Sequence, residues 1–484
     1  MLRKSLLSLL VMSGIASSVS ASPTLVAIGS LSSSSAGAYT DLSGLTGTLE
    51  NGANANLLGG LGSGLAWAGG STFLALPDRG PNAVAWNSSI DNTTSYISRF
   101  QTLSLALTTS SSGSLPYTLT PTLTGTTLLY SSTALNYGTA PTSINSESGK
   151  YYFTGRSDAF GVGTSSLNAL NARLDPEAIR VSPDGKSVFI SDEYGPYIYQ
   201  FNRATGERIR TIETPANLGV TNLSSVGSAE ISGNTSGRVA NKGMEGLAIT
   251  PDGKTLVGFM QSALIQDGGD GAKANRIVTI DLATNQTHQY AFNNLITTNG
   301  STKSYNSSEI LALNNHQFLV LERDGKGLGD GSSAKVKQVW AIDIRGAQDV
   351  SGLSGEAALL AKAPSKKLFL DIESALKAFG LSEAQIPAKL EGMAFGDDIF
   401  DNGTLYHTLF IANDNDFVQD VAGTNQFFAF RFTDADILSL GLDAYQAQQI
   451  ATVTEPGTLA LIAIAFGVLT PSLRRKKARH EQGL

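Results

Sequence analysis

The chain is patterned as short apolar runs separated by turn-forming residues. The run opened by Glu177 in "DPEAIRVSPDGKSVFISDE" reaches Pro183-Asp184-Gly185, and a second apolar run follows. The same order recurs in "NKGMEGLAITPDGKTLVGFMQ" with Glu245 and Pro251-Asp252-Gly253, and in "SSEILALNNHQFLVLERD" with Glu309 and Asn314-Asn315-His316. It begins again at Glu391 in "KLEGMAFGDD". A fifth copy, "SGLAWAGGSTFLALPDRG", has Ser63 in the Glu position and turns at Gly69-Gly70. Apolar runs this short, bounded by Gly, Pro, Asn and Asp, read as buried strands. Two copies show a further strand and hairpin, "YIYQFNRATGERIRTI" and "RIVTIDLATNQTHQYAF". A convincing helical period occurs in "KKLFLDIESALKAFGLSEAQIP", near 370–386, where Gly380 is the stop and the helix is an insertion between strands.

Repeated antiparallel meanders predict an all-β fold, a β-propeller, with a β-sandwich as the competing architecture. Consecutive Glu positions stand 64 to 82 residues apart, longer than a minimal blade, so loops are inserted. Six blades are favoured, the extra one lying between Ser63 and Glu177 around "GKYYFTGR"; five or seven remain compatible. The early "TLVAIGSL" is expected to pair with the late "QFFAFRF" and close the ring.

A hairpin returns to where it began. Glu177 is therefore expected beside Asp192 and Glu193, Ser63 beside Asp78-Arg79, and Glu309 beside Glu322-Arg323-Asp324. Glu245 meets Met260-Gln261, where the acid is missing, and Glu391 meets Asn413-Asp414-Asn415-Asp416. Blades share one orientation, so all these ends should ring one mouth of the channel. Converging carboxylates repel unless neutralised. Ca²⁺, which takes oxygen ligands from carboxylates, amides and carbonyls, is one partner. The expected metal set is Asp78, Glu177, Asp192, Glu309, Glu322 and Glu391. Arg79, Arg323 and Lys242 are the other partners. The plainer alternative is that each Glu caps loop amides or pairs with a neighbouring Arg. "QDGGDGAK" (266–273) lacks the twelve-residue calcium-loop spacing and reads as a solvated turn.

Composition narrows the chemistry. Charged residues are 15% of 484, with 51 Gly, which suits strands and turns. A net charge of −7 and no basic stripe exclude general nucleic-acid binding. The absence of Cys excludes disulfides and Cys-based zinc sites. His288, His316, His407 and His480 are scattered, which disfavours a three-His zinc site. There is no G-x-S-x-G elbow, P-loop or dinucleotide fingerprint.

The ends predict export. Residues 1–21 have Arg3 and Lys4, an apolar stretch and Val19-Ser20-Ala21, the pattern of a secretory signal peptide. The propeller is assigned to 22–450. Residues 451–484 run from Glu455-Pro456 through a short apolar segment to Arg474, Arg475, Lys476 and Lys477. That order resembles the PEP-CTERM sorting signal, although Thr454 stands where the tripeptide begins with Pro. The resemblance implies a cell-envelope or extracellular protein handled by export and sorting machinery, with a transient or retained C-terminal membrane segment. A plain C-terminal anchor is the alternative.

"NKGMEGLAITPDG", "FLVLERDG", "LEGMAFG" and "LFIANDNDF" together resemble the bacterial family called esterase-like activity of phytase, over about residues 55–435. The resemblance implies an exported β-propeller that hydrolyses phosphoric or other esters. By position the family's acidic motifs fall on Glu245, Glu322, Asp324, Glu391, Asp414 and Asp416. The resulting expectation is a Ca²⁺-dependent phosphate-ester hydrolase. In it, Glu245 is general base, Arg79, Arg323 and Lys242 hold the phosphoryl charge, and Asp324, Asp414 and Asp416 contact substrate. Two alternatives stand: a Ca²⁺-dependent lactonase or carboxylesterase, and a non-enzymatic propeller that binds exopolysaccharide or a surface partner. Exposed Trp67, Trp86, Tyr194 and Tyr197 at the mouth would mark the binder, and an arginine-rich mouth the phosphatase.

Overall fold

The computed structural model describes residues 23–81, apart from 32, 35 and 36, and residues 93–451. The signal-peptide segment, Trp86 and nearly all of 451–484 lie outside the described residues. Among the described residues no helix is long and apolar enough to cross a membrane.

The repeats fold as blades. Four sheets each take four consecutive antiparallel strands, starting at Gly64–Trp67, Pro176–Val181, Met244–Ile249 and Asn306–Ala312. The fifth blade runs Lys389–Phe395, Thr404–Asp414 and Asn425–Phe432, and the N-terminal strand Thr24–Leu31 completes its outer edge. Ile28 opposes Phe428 and Gly29 opposes Phe427, so the two ends of the domain close the ring as the sequence predicts. The opening strands touch in a cycle, first to second and on through the fifth, which returns to the first.

The cycle therefore closes at five blades among the described residues, not at the favoured six. Lys150–Tyr152, from the stretch expected to form the extra blade, instead joins Tyr130–Ser131 and Ser146–Glu147 in a small three-stranded sheet. That sheet has no strand in the inner cycle.

Burial explains the patterning. The opening strand Met244–Ile249 is buried at every position, because blades cover it on both faces. Outer strands are half-exposed, as in Thr287–Asn293. The apolar clusters lie between neighbouring blades. Leu319 and Val339 of the fourth pack with Met393 and Phe428 of the fifth, and Phe73 of the first packs with Phe410 of the fifth. The turns use the expected residues: Gly185 and Gly253 both adopt φ of 70°, and the preceding Asp184 and Asp252 accept hydrogen bonds within their own turns. The helix expected near 370–386 is the shorter Ile372–Phe379, capped by Asp371 and ended by Gly380 at φ 113°. The preceding Lys366–Asp371 is the outer strand of the fourth blade.

After the fifth blade the chain runs back across the far end of the channel. Tyr445 packs on Phe395 and His407, with centroids 4.5 and 4.7 Å apart. Gln446 donates to the Leu313 carbonyl, Gln448 to Val181 and Ala451 to Pro183. This strap ties the fifth, fourth and second blades together.

Candidate functional site

Four of the five opening strands break register at their start. The break lies between Pro176 and Ile179, Met244 and Gly246, Ser307 and Glu309, and Leu390 and Met393. A bulge of this kind inserts an unpaired residue and re-aims its side chain. Glu177, Glu245 and Glu391 occupy these breaks and line one cavity of about 530 Å³ at the channel mouth. The small residue that follows is explained by crowding at the axis. A Cβ on Gly246 would lie 2.9 Å from the Ile310 nitrogen, and one on Gly392 would lie 2.9 Å from the Leu65 nitrogen. The recurring Glu-Gly pair is thus one acid turned to the mouth and one glycine at the closest approach of the blades.

The fourth blade is offset by one residue. Ser308 occupies the break and lines the cavity. Glu309 sits one step deeper, fully buried, where a one-residue slip reverses its direction. It accepts the Leu247 and Ile310 amides and pairs with Arg180 at 2.9 Å. Burial raises its carboxyl to about 7, against the pull of Arg180. Glu309 is therefore a channel plug and not a ligand at the mouth.

Asp192 and Glu322 also face away from the mouth, because side chains alternate along a strand. Asp192 accepts the amides of Asp175, Tyr194 and Gly195 at 3.0–3.1 Å, a loop cap. Glu322 is buried against Lys366, whose ammonium lies 4.9 Å from the Phe292 and Trp340 rings. Burial raises both carboxyls to about 7. Their neighbours Glu193 and Arg323 line the cavity instead.

The cavity wall carries eight carboxylates, Asp78, Glu177, Glu193, Glu245, Asp270, Asp324, Glu391 and Asp414, against four cations, Arg79, Lys242, Arg323 and Lys389. Arg79 donates to Asp175 at 2.6 Å and also contacts Asn241. Arg323 pairs with Glu391, and Lys242 lies 3.5 Å from Asp270. Lys389 donates to Asp414 at 3.1 Å and to Asp416 at 2.5 Å. Asp324 is largely structural: it holds Lys337 at 2.9 Å and accepts the Lys335 and Val336 amides. Asp416 adopts φ 49° and Phe417 φ 58°, a left-handed pair that turns Asp416 back toward Lys389.

The excess of acid has an electrostatic cost. Burial, and then Glu391, raise the Glu245 carboxyl to about 8. Burial, and then Glu245, hold Glu177 well above the usual range; burial, and then Asp175, do so for Glu193. Asp78 is raised by burial and then by Asp414. Two groups bring carboxylate oxygens within 4.8 Å of one another, Asp78–Asp414–Asp416 and Asp175–Glu177–Glu193. Glu193 Oε1 and Glu245 Oε2 are buried in the wall without a hydrogen-bond partner from the protein, and so are the Nε–H groups of Arg79 and Arg323. This is an oxygen-donor set suited to a hard cation, beside donors suited to an anion.

Residues 56–417 match the family described as phytase-like, esterase-like activity of phytase. The chain belongs to this family. An "Uncharacterized secreted protein" of Arthroderma benhamiae is 29% identical over 296 residues, 54% of this chain and 54% of that protein, so the chain spans about half the length of this phytase-like protein's relative. Among solved structures, hydrazine synthase of Kuenenia stuttgartiensis is 12% identical, covering 75% of this chain and 79% of that one, with a TM-score of 0.30. The Swd1 β-propeller domain of Myceliophteria thermophila is 9% identical, covering 49% and 51%, with a TM-score of 0.21.

Of the residues expected at the site, the phytase-like domain gathers Asp78, Arg79, Glu177, Lys242, Glu245, Arg323, Asp324, Glu391 and Asp414 around one cavity, with Asp416 against its Lys389 wall. Asp175 and Lys389 were not anticipated. Each stands two residues before a mouth glutamate, and period-two spacing was the available signal. The 266–273 loop is less solvated than expected: Asp267 is buried against Arg276 at 2.6 Å, while Asp270 reaches the cavity. Tyr305 lines the mouth cavity, but among the described residues the aromatics expected to mark a binder do not. Tyr194 and Tyr197 are buried, and Trp67 lines a hollow with Tyr445 at the opposite end.

Proposed function

We propose that this phytase-like protein is an exported, Ca²⁺-dependent hydrolase of phosphate esters that works at the carboxylate-rich mouth. The observation that supports it is the pairing, in one cavity, of excess buried carboxylate with arginines that keep unsatisfied N–H donors. The family's description supports ester hydrolysis, and the secreted relative supports export. Export by residues 1–21 and sorting through a PEP-CTERM-like segment at 451–484 belong to the same proposal.

Bound Ca²⁺ supplies neutralisation of the carboxylates and polarisation of a phosphoryl oxygen. The chain's own residues do the rest. Glu245 accepts the proton of the attacking water and returns it to the alcohol oxygen as the phosphorus–oxygen bond to the leaving group breaks. Arg79 and Arg323 donate to the phosphoryl oxygens as charge shifts onto them, and Lys242 and Lys389 add positive potential at the rim. Arg323 is held in place by Glu391, and Arg79 by Asp175.

A screen of purified protein against phosphate monoesters, lactones and acyl esters, with and without a Ca²⁺ chelator, tests this. Chelator-sensitive release of phosphate is the expected result. Turnover of lactones or acyl esters alone would move the assignment to lactonase or carboxylesterase. Loss of all turnover, with retained polysaccharide binding, would make the propeller a binding module.

A further inference from the structure

The two carboxylate groups of the mouth keep different company. In the group between the first and fifth blades every acid is already engaged. Asp78 accepts the Gly80 amide at 3.0 Å, Asp414 accepts the Asp416 amide at 2.8 Å, and the Lys389 ammonium joins Asp414 to Asp416. An ammonium thus already neutralises two of these three acids.

The second-blade group is open by comparison. Arg79 satisfies Asp175 at 2.6 Å, but its guanidinium is 3.9 Å from Glu193, too far for a hydrogen bond. Glu193 is 1% exposed, and its Oε1 has no partner. Glu245, 3% exposed, presents a second unpartnered oxygen in the same cavity wall. A buried carboxylate oxygen without a protein donor is costly to ionise, and a hard cation removes that cost.

We infer that the mouth binds one divalent, oxygen-seeking cation, held by Asp175, Glu177 and Glu193 with Glu245 beside them, and that Lys389 stands in place of a second ion at Asp78–Asp414–Asp416. This rests on the Ca²⁺ part of the proposed function and assigns its site, which leaves Asp78, Asp414 and Asp416 as a fixed scaffold. A lysine there contributes permanent positive charge that no chelator removes.

Calorimetric titration of the full chain with Ca²⁺ tests the inference without any ester. The wild type should bind one ion. Glu193→Gln should weaken binding at least tenfold, and Asp416→Asn should change it less than threefold. Lys389→Met should raise the stoichiometry to two; if that variant fails to show native near-ultraviolet circular dichroism, Lys389→Gln serves. No Ca²⁺ binding, two ions in the wild type, equal weakening by both acid variants, or one ion after loss of Lys389 would each overturn it. One bound ion with no hydrolysis of any ester would retire the hydrolase reading and leave the cation site standing.

Discussion

Arg180 crosses the channel to Glu309. The guanidinium of the second blade lies 2.9 Å from the carboxylate of the fourth and also donates to the carbonyls of Leu65 and Ile310. Both side chains are buried, so neither can lose its partner without leaving a charge or a polar group stranded. Breaking such a pair costs about 3–5 kcal/mol. Arg180→Met should lower the unfolding free energy in urea by about that amount. Glu309→Gln should lower it less, because the amide oxygen still accepts the Leu247 and Ile310 N–H groups.

Glu245→Gln separates base from scaffold. It keeps the shape and removes the proton acceptor. Turnover should fall roughly 100-fold or more, the usual range for a positioned general base. Thermal melting of the metal-free protein should not fall, because one member of a repelling buried set has become neutral. A melting temperature that drops together with activity would mark Glu245 as a structural cap.

Without metal, stability should decline as pH rises. The Glu245 carboxyl moves from an ordinary value of 4.5 to about 8 in the folded chain. A raised acid favours the folded state while protonated, so its contribution is complete below pH 4.5 and is lost as pH climbs toward 8. Glu309, Glu322 and Asp192, each raised to about 7, act in the same direction. Melting curves of chelated protein from pH 5 to pH 8 should shift steadily downward; an upward shift would contradict the raised values.

Chelation should act most strongly at alkaline pH. A cation competes with protons for the same oxygens and binds best when they are ionised. At a hundred times its dissociation constant, Ca²⁺ adds about 2.7 kcal/mol to the folded state. Differential scanning fluorimetry with and without Ca²⁺ should show a larger gap at pH 8 than at pH 5. An equal gap at both would place the ion away from the raised carboxylates.

The strap at the far end is a stability element. Tyr445→Ala removes the ring packed on Phe395 and His407. Truncating a half-buried aromatic should cost about 2 kcal/mol, toward the low end for large-to-small changes. Urea unfolding measures the loss, and turnover at the opposite mouth should stay unchanged.

The sequence alone determined the opening hairpins of the blades, their turns and the single convincing helix. These follow from local periodicity and turn chemistry, which act over a few residues. It also placed Glu177, Glu245 and Glu391 at one mouth, because a hairpin must return to its start. Only the tertiary structure decided the closure at five blades, since ring size depends on how neighbouring strands pack and not on any one repeat. It likewise decided that Ser308 and not Glu309 faces the mouth. Aligning glutamates by sequence assumed a common bulge, and the fourth blade places that bulge one residue earlier relative to its acid. Asp192 and Glu322 turned away for the same reason: adjacent residues on a strand face opposite sides, and the register that chooses between them is set by the partner strand.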